Sequence, residues 1–298
     1  MRELRGKTAF VTGGASGIGL GMAQCFLQQG MRVVVADLSQ EHLAQAREVL
    51  AAHAADTRFL RLDVADRAAM AEAADEAERA FGKVHVLCNN AGVSSPIAMD
   101  EATFEDWDWI LGVNLQGAIN GIVTFLPRLR RHGEGGHIVN TASIAGLVPA
   151  PAWGGIYSTS KFALHGLSGS LRLSVGRHGI GVSVLCPGAT KSNVRQSERL
   201  RPEKYRSRQR PPHAMPSLQE IGIEPVELGQ RVVRAIRRNE FYIIAHAENK
   251  PHVKAFVDEM LAAFPDEQVT DAGRLSYIHW FDKATADALA LQPVDHGA

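Results

Sequence analysis

A doubly wound α/β fold, a parallel sheet of about seven strands with helices on both faces, is what this 298-residue sequence predicts. Short apolar runs alternate with longer amphipathic ones from the first residues onward, as in parallel sheets covered on both sides. The short runs are rich in β-branched residues, as strands are. The first turn between a run and an amphipathic segment is glycine-rich and opens a helix, the local arrangement of a phosphate-binding α/β unit.

The elements follow in order. Residues 8–11 form the first strand and 17–29 the first helix, then 32–37 is β-branched and buried. Residues 41–54 are Ala- and Leu-rich and helical, 58–63 strand-like, 67–81 helical, and 84–88 the fourth strand. A long helix is expected over 103–131, a strand at 137–141, a helix at 157–177 and a strand at 181–186. The FYIIA run at 241–245 is the seventh strand; 226–239 and 250–264 are helices. No internal repeat and no domain boundary interrupts this series, so residues 1–298 read as one domain. Residues 189–225 break the rhythm with Arg, Pro and Ser, and a loop of that length reads as a lid or binding loop. Residues 247–298 form a C-terminal extension, in which the aromatic stretch 277–281 is expected to pack against something.

Composition narrows the function classes. Thirty-two basic residues balance 32 acidic ones, against a nucleic-acid or anionic-membrane binder. Cys25, Cys88 and Cys186 sit singly in apolar runs without metal-ligand spacing, so no metal is expected and a reducing cytoplasm is. The N-terminus lacks the apolar stretch of a signal peptide, and no apolar run approaches the roughly 20 residues of a membrane span.

The turn Thr12-Gly13-Gly14-Ala15-Ser16-Gly17-Ile18-Gly19 links the first strand to the first helix. Glycines let backbone N–H groups approach a pyrophosphate, and the helix N-terminus adds oriented donors and partial positive charge. Asp37 ends the second strand, where a ribose-binding carboxylate is expected. It would accept the 2′- and 3′-hydroxyls and repel a 2′-phosphate; the other reading is a helix cap. Neither Leu38 nor Ser16 offers a cation, so NAD is preferred to NADP. Asp63 ends the third strand, beside Val64, placed equally well to meet an adenine or to cap the next helix. Asn89-Asn90-Ala91-Gly92 reads as a motif that holds the sheet edge and the cofactor cradle together.

Tyr157 and Lys161 lie four apart on one helix face. Ser143 follows the fifth strand at the carboxyl edge of the sheet, where doubly wound folds bind ligands. Asn114 is a polar residue among apolar neighbours. Oxidising an alcohol by hydride transfer requires a partner for the hydroxyl proton. A phenol near pKa 10 is a poor base at pH 7, and lowering it to about 7 takes roughly 4 kcal/mol of phenolate stabilisation. The Lys161 ammonium and the charge of oxidised nicotinamide are suitable sources. Ser143 would orient the substrate oxygen. Asn114 would hold a water linking Lys161 to solvent.

TGGASGIG at 12–19, Asp37, NNAG at 89–92, Asn114, Ser143, YSTSK at 157–161 and PG at 187–188 together resemble the short-chain dehydrogenase/reductase family. The resemblance implies a one-domain Rossmann fold, a catalytic tetrad of Asn114, Ser143, Tyr157 and Lys161, and usually a homodimer or homotetramer built on long helices. It also implies that Ile18, Val64, Asn90, Pro187, Gly188 and Thr190 line the cofactor, with Thr190 facing its carboxamide. Ser192 stands where the family often has Thr, which keeps the hydroxyl. A narrower similarity, over residues 108–129, 179–194, 197–205 and 224–244, is to bacterial Cα-dehydrogenases, which oxidise benzylic alcohols of lignin-derived β-aryl ethers. The expected partner is therefore a small-molecule alcohol or ketone. Hydroxysteroids are an alternative substrate, and an NAD-binding regulator without turnover is an alternative role.

Substrate choice carries no general code. The apolar stretch 144–155 with Trp153, residues 94–99 and the loop 189–225 are candidate walls. Trp153 marks either a bulky aromatic substrate or ordinary packing. The cations of the loop, Lys191, Arg195, Arg199, Arg201, Lys204, Arg206, Arg208 and Arg210, either meet an acidic substrate group or stand in solvent.

Overall fold

The computed structural model describes residues 1–206 and 217–293. Its centre is a seven-stranded parallel sheet in the order β3-β2-β1-β4-β5-β6-β7. The strands are β1 (Thr8–Thr12), β2 (Arg32–Asp37), β3 (Thr57–Arg61), β4 (Val86–Asn89), β5 (Gly136–Thr141), β6 (Ile180–Leu185) and β7 (Tyr242–Ile243). Every residue of β1, β4, β5 and β6 is buried, which is why these segments are mostly apolar and show no alternation. The order reverses between β1 and β4, and the crevice beyond their carboxyl ends is where this fold binds ligands.

Helices cover both faces: α1 (Gly17–Gln28), α2 (Gln40–Val49), α3 (Arg67–Phe81), α4 (Phe104–Leu111), α5 (Gly117–His132), α6 (Gly155–Val175), α7 (Leu218–Ile221), α8 (Pro225–Arg238), α9 (Lys250–Ala262) and α10 (Ala272–Ala290). One core packs α1 and α8 on the sheet through Met22, Phe26, Leu228 and Val232. The other packs α3 and α5 on the opposite face through Met70, Ala74, Phe125 and Leu129.

Four expectations need correction. The helix expected over 41–54 ends at Val49; residues 51–56 turn as a 3-10 segment interrupted at His53 before entering β3. The long helix over 103–131 is α4 and α5 joined by one π turn, Gly112–Gln116. By length and composition this stretch, Phe104–His132, is apolar enough to cross a membrane, contrary to the reading of the sequence. Half of its most apolar window is buried, however, and Ile122, Phe125 and Leu129 are spent on the sheet core. Finally, Tyr277 and Trp280 on α10 are 60% and 62% exposed rather than packed. That helix meets α6 at few points and is tied down at its end, where Gln292 donates to the Arg172 carbonyl.

Candidate active site

The crevice at the β1/β4 switch is lined at one end by Gly13, Ser16, Gly17, Ile18, Asp37, Asp63, Val64 and Asn90, and at the other by Ser143, Tyr157, Lys161, Pro187, Gly188 and Thr190. One cleft thus collects residues that the sequence scatters over 178 positions, from Gly13 to Thr190. Of the predicted site residues only Gly19 and Asn114 stand behind its wall.

Gly19 shows why the first turn needs glycine. A Cβ there would lie 2.1 Å from the Gly13 carbonyl oxygen, so helix α1 starts hard against the end of β1. Gly13 takes φ +59°, and a Cβ on it would press on Ala91 at 2.9 Å. Ser16 is the N-cap of α1, yet its hydroxyl makes no cap bond and faces the cleft. That leaves it available to a phosphate oxygen.

Asp37 is buried, and each carboxylate oxygen accepts one backbone N–H: Ala15 at 3.2 Å and Ser39 at 3.0 Å. Ser39, not Asp37, caps α2 through His42 N–H. Each Asp37 oxygen retains lone-pair capacity toward the cleft. His42, missed in the sequence, also lines the cleft, with Nδ1 4.0 Å from Asp37. Asp66 caps α3 through Ala68 and Ala69, so Asp63, whose carboxylate holds Ala65 N–H, is not the cap. Asn120, also missed, fixes the Val64 carbonyl from α5 at 2.9 Å.

Asn90 ties three strand ends together. Its backbone N–H donates to Thr12 Oγ1, its amide to the Thr12 and Gly13 carbonyls, and its Oδ1 accepts Thr141 Oγ1. This cross-bracing is what the NNAG turn is expected to do.

At the other end Lys161 is buried, with Nζ 2.8 Å from the Thr141 carbonyl and 5.5 Å from the centre of the Tyr157 ring. Burial lowers its pKa to about 8. Burial also raises the Tyr157 phenol, and the Ser143 hydroxyl pulls it partly back. The nearby Lys161 ammonium and the positive charge that oxidised nicotinamide would bring both favour the phenolate. Ser143 accepts Ala145 N–H at 3.1 Å and caps the short 3-10 turn Ile144–Gly146.

Asn114 sits in the π turn, a distortion common at functional sites. Its Oδ1 accepts Val93 N–H at 2.8 Å, and its amide donates to the Val93 carbonyl and Ser160 Oγ, both at 3.0 Å. The side chain clamps the strand exit after β4 to α6.

The expected apolar wall, 144–155 with Trp153, does not line the cleft. Trp109, Val93, Leu200, Tyr205 and Leu218 do. Among the described cations of the loop after β6, Arg199, Lys204 and Arg206 are exposed, and Lys204 lines the cleft. Arg201 is buried; it reaches Asp106 and Glu198, donates to the Tyr205 carbonyl at 2.7 Å and lies over Trp109. Lys191 pairs with Glu224 and Arg206 with Glu203. Arg208 and Arg210 lie outside the described residues.

A dinucleotide cradle beside a buried Tyr–Lys pair and a serine defines a nicotinamide-dependent oxidoreductase of alcohols. A family model described as short chain dehydrogenase matches residues 7–203, and the chain belongs to that family. It is similar to a C alpha-dehydrogenase from Sphingobium sp., 38% identical over 270 residues, covering 87% of this chain and 88% of that protein. A 3beta-hydroxysteroid dehydrogenase 2 from Eggerthella lenta is 37% identical over 195 residues, 64% of this chain and 74% of the relative. A solved structure of a short chain dehydrogenase/reductase from Burkholderia phymatum in complex with NAD superposes with a TM-score of 0.83 at 33% identity, covering 91% of this chain and 100% of that one. This protein is an NAD-dependent dehydrogenase acting on CH–OH groups.

Proposed function

We propose that the enzyme interconverts a bulky benzylic secondary alcohol and its ketone. NAD, when bound, supplies the hydride acceptor. Gly13, Ser16, Gly17, Ile18 and Gly19 hold its pyrophosphate, Asp37 its adenosine ribose, and Asp63 and Val64 its adenine. Asn90, Pro187, Gly188 and Thr190 flank the nicotinamide side. Tyr157 takes the alcohol proton at its phenolate oxygen, Ser143 orients the alcohol oxygen, and Lys161 favours the phenolate. Asn114 maintains the geometry of α6 beneath them. Residues 1–298 act as one NAD-binding domain, in which 189–225 shape the substrate end and 247–298 extend it.

The observation that carries the substrate class is the aromatic wall of Trp109 and Tyr205 beside the Tyr157 end of the cleft. The similarity to the Sphingobium C alpha-dehydrogenase supports it. The hydroxysteroid relative favours a bulky alicyclic alcohol as the second reading. A panel of benzylic aryl-ether alcohols and hydroxysteroids, followed by nicotinamide absorbance with NAD and NADP, decides. Faster NAD reduction by the benzylic members is expected; a preference for steroids, or for NADP, overturns the assignment.

The chain is further proposed to self-associate as a homodimer or homotetramer in a reducing cytoplasm. Leu261, Phe264, Tyr277, Ile278, Trp280 and Phe281 on and beside α9 and α10 are each more than half exposed, an apolar concentration unusual on a monomer. Its three cysteines are free and buried, as suits that compartment. Light scattering on the purified protein tests the assembly, and a monodisperse monomer contradicts it.

A further inference from the structure

The turn Pro187–Thr190 presents Pro187, Gly188 and Thr190 to the cleft. Its other side rests on His246, a buried residue that does not line the cleft. A Cβ on Gly188 would lie 2.8 Å from His246 Cγ and 2.9 Å from Cδ2, so backbone and ring are in direct contact and only glycine fits between. The ring is placed by the sheet. β6 and β7 pair as Val184↔Tyr242 and Leu185↔Ile243. The same offset of 58 residues, carried three positions past the strands, brings His246 to Gly188.

Both ring nitrogens are spent on the turn. Nδ1 lies 2.9 Å from Gly188 N, and Nε2 lies 2.9 Å from the Ala189 carbonyl oxygen. A backbone N–H only donates and a carbonyl only accepts. The ring is therefore neutral, with its proton on Nε2; neither the other tautomer nor the imidazolium satisfies both partners. The next link in the turn is catalytic: the Pro187 carbonyl accepts Ile144 N–H at 3.0 Å and Ser143 Oγ at 3.4 Å. One rigid path runs from His246 through Gly188 and Pro187 to the hydroxyl that faces Tyr157.

We propose that His246 is a positioning residue for NAD. It holds the turn that meets the nicotinamide, and through it Ser143, although it touches neither cofactor nor substrate. The inference rests on the placing of the nicotinamide against residues 187–190.

The test compares His246→Leu, which fills the space and bonds to nothing, with His246→Asn, whose Oδ1 can accept Gly188 N–H. The leucine variant is expected to bind NAD about tenfold more weakly, about 1.4 kcal/mol, and to lower kcat. The asparagine variant is expected to recover most of the affinity. A leucine variant that melts and binds NAD like wild type overturns the proposal, as do leucine and asparagine variants equally impaired. Should either fail to fold, the wild-type imidazole nitrogen resonances carry the test. They must report the Nε2–H tautomer and shift on NAD addition; the other tautomer, or indifference to NAD, overturns it. Thr190→Val serves as the control. If it leaves NAD affinity unchanged, the placing of the nicotinamide fails, separately from the role of His246.

Discussion

The two ends of the cleft are held by different forces. At the cofactor end the lining groups sit on strand ends, and short hydrogen bonds to backbone fix them: Asp37 to Ala15 and Ser39, Asn90 to Thr12 and Gly13. The substrate end rests on a loop whose described residues include a buried ion pair, Arg201 with Asp106 on α4. Asp106 also accepts the Thr103 N–H, closing a capping box at the start of α4. Strand ends cannot shift without unmaking the sheet, whereas a latched loop can be exchanged with little cost elsewhere. Cofactor chemistry is thus built into the fold, and substrate choice is attached to it.

The contrast is broken most severely at the reacting centre. Tyr157→Phe is expected to lower kcat by about 10³-fold, the range of general acid–base catalysis, with NAD affinity retained. Titration of NAD against the variant checks that the cofactor end is undisturbed. Next comes the latch. Arg201→Leu removes the guanidinium from the buried Asp106 carboxylate, which typically costs about 3–5 kcal/mol, and opening the loop is the local way to relieve it. The alcohol KM should rise about tenfold or more with NAD affinity unchanged. A lower melting temperature at unaltered KM would show that the pair merely stabilises the fold.

Asp37→Ala addresses the opposite end. It should cut the preference for NAD over NADP by about tenfold and leave the alcohol KM alone; a variant still strictly selective for NAD contradicts the role of that carboxylate. The last test concerns the charge of Lys161. Burial brings its pKa from 10.5 to about 8. Between those values the unfolded chain holds a proton that the folded chain has released, so stability rises with pH across that window. Below about 8 both states are protonated and the full penalty of burying the charge remains. The stability of Lys161→Met relative to wild type should therefore be greatest below pH 8 and fall by roughly 3 kcal/mol by pH 10.5. Denaturant melts across this range check it, and a pH-independent difference would mean that Lys161 titrates normally.

The cofactor end was legible in the sequence for the reason that makes it rigid. Glycines, Asp37 and Asn90 sit in turns at strand ends, so each is marked by its place directly after a strand even where its partners, such as Thr12 for Asn90, are distant in the chain. The seven strands and the helices between them were legible from the same alternation, but their order in the sheet was not. The substrate end rests on contacts between distant segments. Trp109 and Tyr205 are 96 positions apart in the chain, and no periodicity announces that they share a wall. His246 reaches Gly188 only through the β6–β7 register. The π turn at Gly112–Gln116 is likewise hidden, because its residues suit an ordinary helix and only the clamp on Val93 and Ser160 shows what Asn114 does there. Trp153 misled because nearness to Ser143 in sequence does not make it a lining residue of the cleft.

A benzylic alcohol deuterated at its carbinol carbon, incubated with NAD and the wild-type enzyme, tests hydride transfer most directly. The reduced nicotinamide is expected to carry the deuterium by mass spectrometry, and Tyr157→Phe is expected to form almost none of it. Reduced cofactor without the label, or ketone formed with no reduced cofactor, would contradict the mechanism.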